Sequence, residues 1–168
     1  GHGMLTGRYA CYDTYQTADG GWLAVAAIEG RFWTNLCRAL GLEQWADRQT
    51  DDTVQDRIRA DLQAVFATRD RDDWVAALAG ADTCVAPVLS VPEVVEDPQL
   101  SARGAFVKAT HPQHGTFLQV APVLAGSARP DGSYRVRDAA ETDTDELLAA
   151  VGMSVEECAR LRESGVVA

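Results

Sequence analysis

The sequence lacks the features that identify membrane-spanning and nucleic-acid-binding proteins. Its longest uninterrupted apolar run, Trp22 to Ile28, is far short of the roughly 20 residues that span a bilayer, so we expect no membrane partner. The formal net charge of -10, from 25 acidic against 15 basic residues, repels phosphate backbones and argues against nucleic acid as a partner. Nucleic acid and membranes are therefore poor candidates for partners.

Features of secreted proteins are also scarce. Residues 1–7 contain neither a basic region nor an apolar core of a signal peptide, and we interpret them as a cloning remnant and lead-in. No Cys-x-x-Cys pair occurs among the four cysteines, which are Cys11, Cys37, Cys84 and Cys158. We therefore expect a cytoplasmic protein with buried free thiols and no structural disulfide.

Motifs of self-contained catalysis are missing as well. The sequence has no phosphate-binding loop, no glycine fingerprint for dinucleotides and no Gly-x-Ser-x-Gly element. His111 and His114 lie three residues apart in a predicted turn, but no third or fourth zinc ligand follows at a recognised spacing. We predict no metal site.

The composition is that of an ordinary globular protein, with 46% hydrophobic and 24% charged residues. A chain of 168 residues buries roughly 70% of its unfolded surface, which is enough for a real core. Local patterns predict an α+β fold, in which a small antiparallel sheet with hairpins packs against several helices and a helical tail follows.

The predicted hairpin joins residues 9–17 to residues 22–28 through a turn at Asp19 and Gly20. Its second strand is so apolar that we expect it to be buried on both faces. In the first half of the chain, the remaining patterns predict a helix that starts right after Glu29 and ends at Gly41, a helix over 52–69 with Asp51 or Asp52 as cap, and a helix over 70–80. Further helices are predicted after Pro92 and Pro98, over 143–151 and from Ser154 to Gly165. An extended segment is predicted at 84–89, and strands at 105–110 and 116–121.

Glu29 is the most interesting acidic residue, because it closes the apolar strand where a helix begins. The amides of a helix N-terminus favour an ionised carboxylate, which can accept a proton or stabilise an imidazolium. An ordinary helix-terminal acid is an equally good interpretation. For Cys84, an apolar segment favours a small core residue over a reactive thiol. The aromatic residues near the hairpin fit either an acyl pocket or, for most of them, the core; they are Tyr12, Tyr15, Trp22, Phe32 and Trp33.

Residues 8–42 resemble the α-methylacyl-CoA racemase branch of the class III CoA-transferase family. The motifs that carry this resemblance are YDTYQTADG, AVAAIE, FW and ALGL, in that order. Residues 84–106 resemble a further family signature, and residues 143–167 resemble the family's C-terminal helices. The resemblance thus extends from about residue 8 to the end of the chain.

The resemblance implies that a large Rossmann-like domain is missing from this chain. In the family, that domain carries most CoA contacts together with the catalytic Asp and His. We therefore expect residues 8–125 to form the small domain, 126–140 an exposed connection, and 141–168 a segment that returns to the large domain. The chain alone would bind no cofactor, and acyl-CoA would be the substrate of the complete enzyme, which is expected to be a homo-oligomer.

The resemblance also implies roles for individual residues. Glu29 would pair with the catalytic His of the large domain and help to move the α-proton of a 2-methylacyl-CoA through an enolate. Cys84, Phe32 and Trp33 would lie at the substrate pocket, with Cys84 packing rather than reacting. Gly30 departs from the family pattern, because racemase-like members usually have Pro there; the change is expected to loosen the corner that carries Glu29.

Three functions remain open at this point. An acyl-CoA racemase is favoured, because the Glu after Ala-Ile occurs where many CoA-transferring relatives have Gly-Asn-Asp. A CoA-transferase, with the acyl-enzyme anhydride formed by an Asp of the missing domain, is the second. The third is a stand-alone domain that binds an acyl chain or a partner protein.

Overall fold

Two three-stranded sheets, one in each of two units, form the framework of the protein. The computed structural model describes residues 3–122, 133–138 and 141–167, and the chain divides into the units Gly1–Glu93 and Val94–Ala168. The strand order is β1-β2-β3 in the first sheet and β5-β4-β6 in the second. This mixture of sheets and helices confirms the predicted α+β class.

The first unit contains a hairpin, three α-helices and a 3₁₀ helix that follow it, and a returning strand. In chain order its elements are β1 (Tyr12–Gln16), β2 (Trp22–Ala26), α1 (Gly30–Leu40), a 3₁₀ helix (Glu43–Arg48), α2 (Gln55–Phe66), α3 (Arg71–Leu78) and β3 (Val85–Val88), and α4 (Val91–Glu96) contains the boundary between the units. β2 pairs antiparallel with both β1 and β3. The predicted hairpin, helices and extended segment are therefore confirmed, with shorter strands.

The hairpin turn is fixed by Asp19 and by a glycine. Gly20 has a φ of 81°, a left-handed conformation that glycine adopts without steric cost. The Asp19 carboxylate accepts hydrogen bonds from the hydroxyl of Thr17 (2.5 Å) and from the amide nitrogens of Gly21 (3.1 Å) and Arg71 (3.3 Å). The same side chain thus closes the hairpin and caps the start of α3.

Strand β2 is buried on one face only, which corrects the expectation of burial on both. Leu23 and Val25 face the core, whereas Trp22 is 43% exposed and Ala24 and Ala26 are half-buried. The run is apolar at every position, including Ala24 and Ala26 on the outer face. Hydropathy alone therefore did not show that only one face of β2 is buried.

The core of the first unit lies between the inner face of this sheet and the helices. Phe66 lies 5.4 Å from the ring of Tyr15 and 5.5 Å from that of Trp74, centroid to centroid. The free edge of β1 is closed by Gln63 of α2, whose side-chain amide donates to the Gln16 carbonyl (2.9 Å) and accepts from the Gln16 amide (3.1 Å). A side chain thereby takes the hydrogen-bonding place of a further strand.

Helix ends were predicted correctly except at α2. Gly41 ends α1 with a φ of 70°, and Ser154 forms the predicted capping box with Glu157. The N-cap of α2 is Val54, not Asp51 or Asp52. Asp51 instead accepts hydrogen bonds from the amide and the hydroxyl of Thr53. Residues 51–54 thus form a turn, and α2 begins only after it, at Gln55.

The second unit contains α5 (Pro98–Ala102), β4 (Phe106–His111), β5 (Gly115–Val120), β6 (Tyr134–Arg135), α6 (Thr144–Ala150) and α7 (Val155–Glu163). The predicted strand pair is β4 and β5. β6 runs parallel to β4, so this sheet is mixed, and the sequence did not predict β6 within the connection at 126–140. Residues 126–132, 139 and 140 of that connection lie outside the described residues. No helix in the described part of the chain is long and apolar enough to cross a bilayer.

Candidate functional site

Glu29 lies at the corner where the chain passes from β2 into α1. It is the N-cap of α1, with φ -71° and ψ 135°, and its carbonyl accepts the first helical hydrogen bond from the Trp33 amide (3.1 Å). Its side chain is exposed and makes no capping hydrogen bond to the helix. Among the described residues it takes part in no ion pair. The carboxylate is thus available to a group from outside the chain.

The backbone that leads to Glu29 is held by hydrogen bonds from two directions. The Ala27 amide donates to the Cys11 carbonyl (2.9 Å), and the Ile28 amide donates to the Ala26 carbonyl (2.9 Å). The side-chain amide of Gln49 donates to the carbonyls of Ala27 (2.9 Å) and Ile28 (2.7 Å). The corner is therefore fixed even though Gly30 offers none of the rigidity of proline.

Cys84 lies near Glu29 and is exposed, which corrects the expectation that its thiol is a core residue. Its carbonyl accepts from the Ala26 amide (3.0 Å), so it extends β3 beside the end of β2. Its φ of 52° is left-handed, which turns the side chain out of the strand pattern that the sequence indicated. Cys11, Cys37 and Cys158 are buried as expected, and all four thiols are free.

The charges around Cys84 act in opposite directions on its thiol. Partial removal from water raises the pKa of Cys84, and the negative charges of Glu29 and Asp82 raise it further. The positive charge of Arg31 lowers it. Because the net direction is upward, the thiol form of Cys84 is favoured.

The two aromatic residues predicted at the pocket occupy different environments. Phe32 is half-buried at the start of α1, with the guanidinium of Arg31 4.3 Å from its ring centroid. Trp33 is only 1% exposed, and its Nε1 donates to the Trp45 carbonyl at 2.9 Å. Phe32 is thus accessible beside Glu29, whereas Trp33 anchors α1 in the core.

A shallow cleft of about 420 Å³ lies on the open face of the first sheet. It is lined by Thr6, Gly7, Tyr12, Asp13, Thr14, Ala24, Val25 and Ala26. The small side chains of Ala24 and Ala26 leave its floor low, and Tyr12 lies directly opposite Ala26 in the strand register. The cleft therefore reaches the end of β2, from which Glu29 follows three residues later.

The structure gives no support to a metal centre in the described residues. No group of three or more His, Cys, Asp or Glu side chains there is arranged to hold a metal ion. His111 and His114 stack with ring centroids 4.6 Å apart, and the Nδ1 of His111 accepts from the Gln113 amide (3.1 Å). Both histidines belong to the second unit.

Sequence reasoning missed the glutamines that support the corner. Gln55 is 1% exposed, and its side chain accepts from the Ala10 amide (2.9 Å) and donates to the Asp51 carbonyl (2.9 Å). One signal was available: Gln55 lies in phase with the buried stripe of Ile58 and Leu62, where a polar residue needs partners. Gln49 lies in no periodic element, and no pattern marks it.

Comparison with known proteins gives the family of the chain. Residues 2–140 match the model of CoA-transferase family III. The chain is similar to α-methylacyl-CoA racemase from Homo sapiens, with 32% identity over 171 residues, and to that from Mus musculus, with 30% identity. These alignments cover 99% of the chain but 43% of each relative, so the chain spans less than half the length of either. It is also 28% identical to formyl-CoA:oxalate CoA-transferase from Shigella sonnei, over 83% of the chain and 35% of that protein.

Solved structures agree with this at the level of fold. The crystal structure of Rv3272 from M. tuberculosis matches with a TM-score of 0.56 at 18% identity, covering 67% of this chain and 33% of that one. Because the family model matches most of the sequence, including the whole Glu29 corner, the chain belongs to CoA-transferase family III.

Proposed function

We propose that this chain is the small-domain part of an acyl-CoA racemase and contributes Glu29 to its reaction. The observation that carries the proposal is the exposed Glu29 carboxylate, which lies at the N-terminus of α1 without a capping hydrogen bond of its own. Similarity to two α-methylacyl-CoA racemases over nearly the whole chain supports the choice of reaction.

The proposed reaction inverts the carbon next to the thioester of a 2-methylacyl-CoA. A base removes the α-proton, the electron pair of the C–H bond moves toward the thioester oxygen to form an enolate, and a proton returns to the opposite face. Glu29 would exchange this proton or stabilise the imidazolium of a His from the large domain. The first turn of α1 places the positive end of the helix dipole at Glu29.

Neighbouring residues would shape the acyl site. Phe32, three residues after Glu29, and Cys84, whose thiol the charge of Glu29 affects, would contribute apolar surface to the site. Trp33 is buried and would contribute indirectly, by anchoring α1, the helix that begins after Glu29. The cleft over Ala24 and Ala26 is proposed to hold part of the acyl chain.

The remaining parts of the enzyme would come from elsewhere. A large Rossmann-like domain would supply the His, the Asp and most contacts to CoA, so the chain alone is proposed to be inactive and to bind no cofactor. In this proposal residues 8–125 are the small domain and 141–168 return to the large domain. The complete enzyme would be a homo-oligomer.

A CoA-transferase is the second candidate, and the similarity to formyl-CoA:oxalate CoA-transferase favours it. In that reaction an Asp of the large domain would form an acyl-enzyme anhydride, and Glu29 would only line the pocket. A non-catalytic domain that binds acyl chains or a partner protein is the third.

One chimera separates these candidates. In it, this chain replaces the matching part of human α-methylacyl-CoA racemase, and the chimera is incubated with a 2-methylacyl-CoA in D₂O. Incorporation of deuterium at the α-carbon without an acceptor acid is the racemase result. Transfer of CoA to an added carboxylic acid, without incorporation, is the transferase result. Saturable heat on titrating the chain alone with acyl-CoA would favour the binding domain.

A further inference from the structure

We propose that Gln49 is a positioning residue for Glu29: by clamping the two carbonyls that precede Glu29, it fixes the backbone from which the Glu29 side chain projects. The inference rests on the proposed function of Glu29. Gln49 itself lies in the segment between the 3₁₀ helix and α2, twenty residues further along the chain than Glu29.

The clamp meets a need created by the end of the strand. Ladder pairing in β2 ends at Ala26, opposite Tyr12, so the carbonyls of Ala27 and Ile28 have no partner strand. Buried or half-buried carbonyls require donors. The Nε2 of Gln49 donates to both, at 2.9 and 2.7 Å, and the same side chain also interacts with the Cys11 thiol. Because both partners are carbonyl oxygens, only the nitrogen of the amide can occupy this place.

Gln49 is itself held by a second amide. The Nε2 of Gln55 donates to the carbonyl of Gln49 (3.2 Å) and to that of Asp51 (2.9 Å), while its Oε1 accepts from the Ala10 amide (2.9 Å). The next residue, Cys11, accepts the Ala27 amide through its carbonyl. The buried Gln55 thus fixes both the segment that carries Gln49 and the strand beside Ala27.

The clamp acts on the backbone that carries Glu29. Glu29 directly follows Ile28, and Gly30 places no restraint of its own on the corner. Rotation of the peptides on either side of Ile28 would change the path of the chain into Glu29, and with it the direction of the Glu29 Cα–Cβ bond. The Gln49 hydrogen bond to the Ile28 carbonyl opposes that rotation.

A matched control exists in Gln63, which makes the same kind of contact at the other end of the hairpin. Its amide bonds the carbonyl and amide of Gln16, on strand β1. The variants Q49M and Q63M each remove one clamping amide at nearly constant volume. Q49E and Q63E keep the shape but replace the donating amide by a carboxylate.

NMR on the ¹⁵N,¹³C-labelled 168-residue chain tests the proposal. We expect Q49M and Q49E to lower the backbone order parameter of Glu29 from about 0.85 to below about 0.7 and to shift its ¹³C′ resonance, and Q63M and Q63E to leave both unchanged. An unchanged Glu29 in both Gln49 variants, or equal changes in the Gln63 variants, would overturn it.

The unmodified chain gives a second readout in case the variants fold poorly. The side-chain amide protons of Gln49 should exchange with solvent at least about tenfold more slowly than those of the exposed Gln44. Equal rates would overturn the proposal. Neither readout depends on catalysis, so a failure here is distinct from a failure of the proposed function, which deuterium incorporation measures.

Discussion

The guanidinium of Arg71 lies 2.5 Å from the carboxylate of Glu93, joining the start of α3 to α4. Arg71 also donates to the Val88 carbonyl at the end of β3 (3.1 Å), and Glu93 accepts from the amide of Ser90 (2.7 Å). The Arg71 side chain is only 14% exposed, which distinguishes this pair from an ordinary surface ion pair. The segment that follows β3 is therefore held to α3 through these two side chains.

This pair predicts how stability depends on pH. The Arg71 guanidinium and the Ser90 hydrogen bonds lower the pKa of Glu93 from 4.5 to about 2. Because the folded-state pKa is depressed, the stabilisation is fully present above pH 4.5 and is lost as the pH falls toward 2. We expect Glu93→Gln to lower the urea midpoint at pH 7 and to weaken its decline between pH 4.5 and 2, as measured by tryptophan fluorescence. Glu43→Gln, an exposed control, should keep the original pH dependence; an unchanged profile in Glu93→Gln would count against the pair.

Proline at position 30 should stabilise the chain. Gly30 is the first residue of α1, a Cβ there would meet no atom within 4 Å, and the ψ of 135° at Glu29 suits the residue before a proline. We expect Gly30→Pro to raise the free energy of unfolding by roughly 0.4–1 kcal/mol. Thermal unfolding measures this.

At Gly41, by contrast, replacing glycine should destabilise the chain in the same thermal unfolding experiment. Its φ of 70° is strained for any residue with a Cβ, so Gly41→Ala should lower stability by about 1 kcal/mol. Destabilisation by Gly30→Pro would show that the amide or the flexibility of Gly30 is needed at the corner.

The Cys84 thiol reports on the position of Glu29 in the isolated chain. Since the charge of Glu29 helps to raise the pKa of Cys84, Glu29→Gln should lower that pKa and speed alkylation at pH 8 by roughly two- to threefold. Arg31→Gln should slow alkylation, because Arg31 acts in the opposite direction. Rates with iodoacetamide, followed by mass spectrometry of the Cys84 peptide, are the measurement. If both variants were alkylated at the rate of the unmodified chain, Glu29 and Arg31 would lie too far from the Cys84 thiol to change its pKa.

The aromatic core of the first unit should be highly sensitive to truncation. Phe66 is fully buried between Tyr15 and Trp74, so Phe66→Ala leaves a cavity and should cost about 3–5 kcal/mol in urea unfolding. Phe117 of β5 is 40% exposed, and Phe117→Ala should change stability by less than about 0.5 kcal/mol. Similar effects of the two substitutions would contradict the assignment of the core.

Much of the fold was predictable because its signals are local. The Asp19-Gly20 turn, the stripe of Ile58 and Leu62 and the Ser154 capping box each depend on residues close together in the sequence. Glu29 at the start of α1 was predictable for the same reason.

The errors come from interactions between distant segments. The exposure of Cys84 follows from its left-handed backbone, which its apolar neighbours do not reveal. The open face of β2 depends on which elements pack against the sheet, and hydropathy does not specify them. Gln49 acts across twenty residues through a side-chain amide, so no periodic pattern marks it.

The most direct test of the central claim is the effect of Glu29→Gln on deuterium incorporation by the chimera. The substitution keeps the size of the side chain but removes its negative charge and its ability to accept a proton. We expect the rate of deuterium incorporation to fall by about 10²- to 10⁴-fold. Asp82→Asn is the matched control, because Asp82 also acts on Cys84 and its φ of 50° is one that asparagine accepts; its rate should stay within about threefold. Undiminished incorporation in Glu29→Gln, or incorporation by the 168-residue chain alone, would contradict the account.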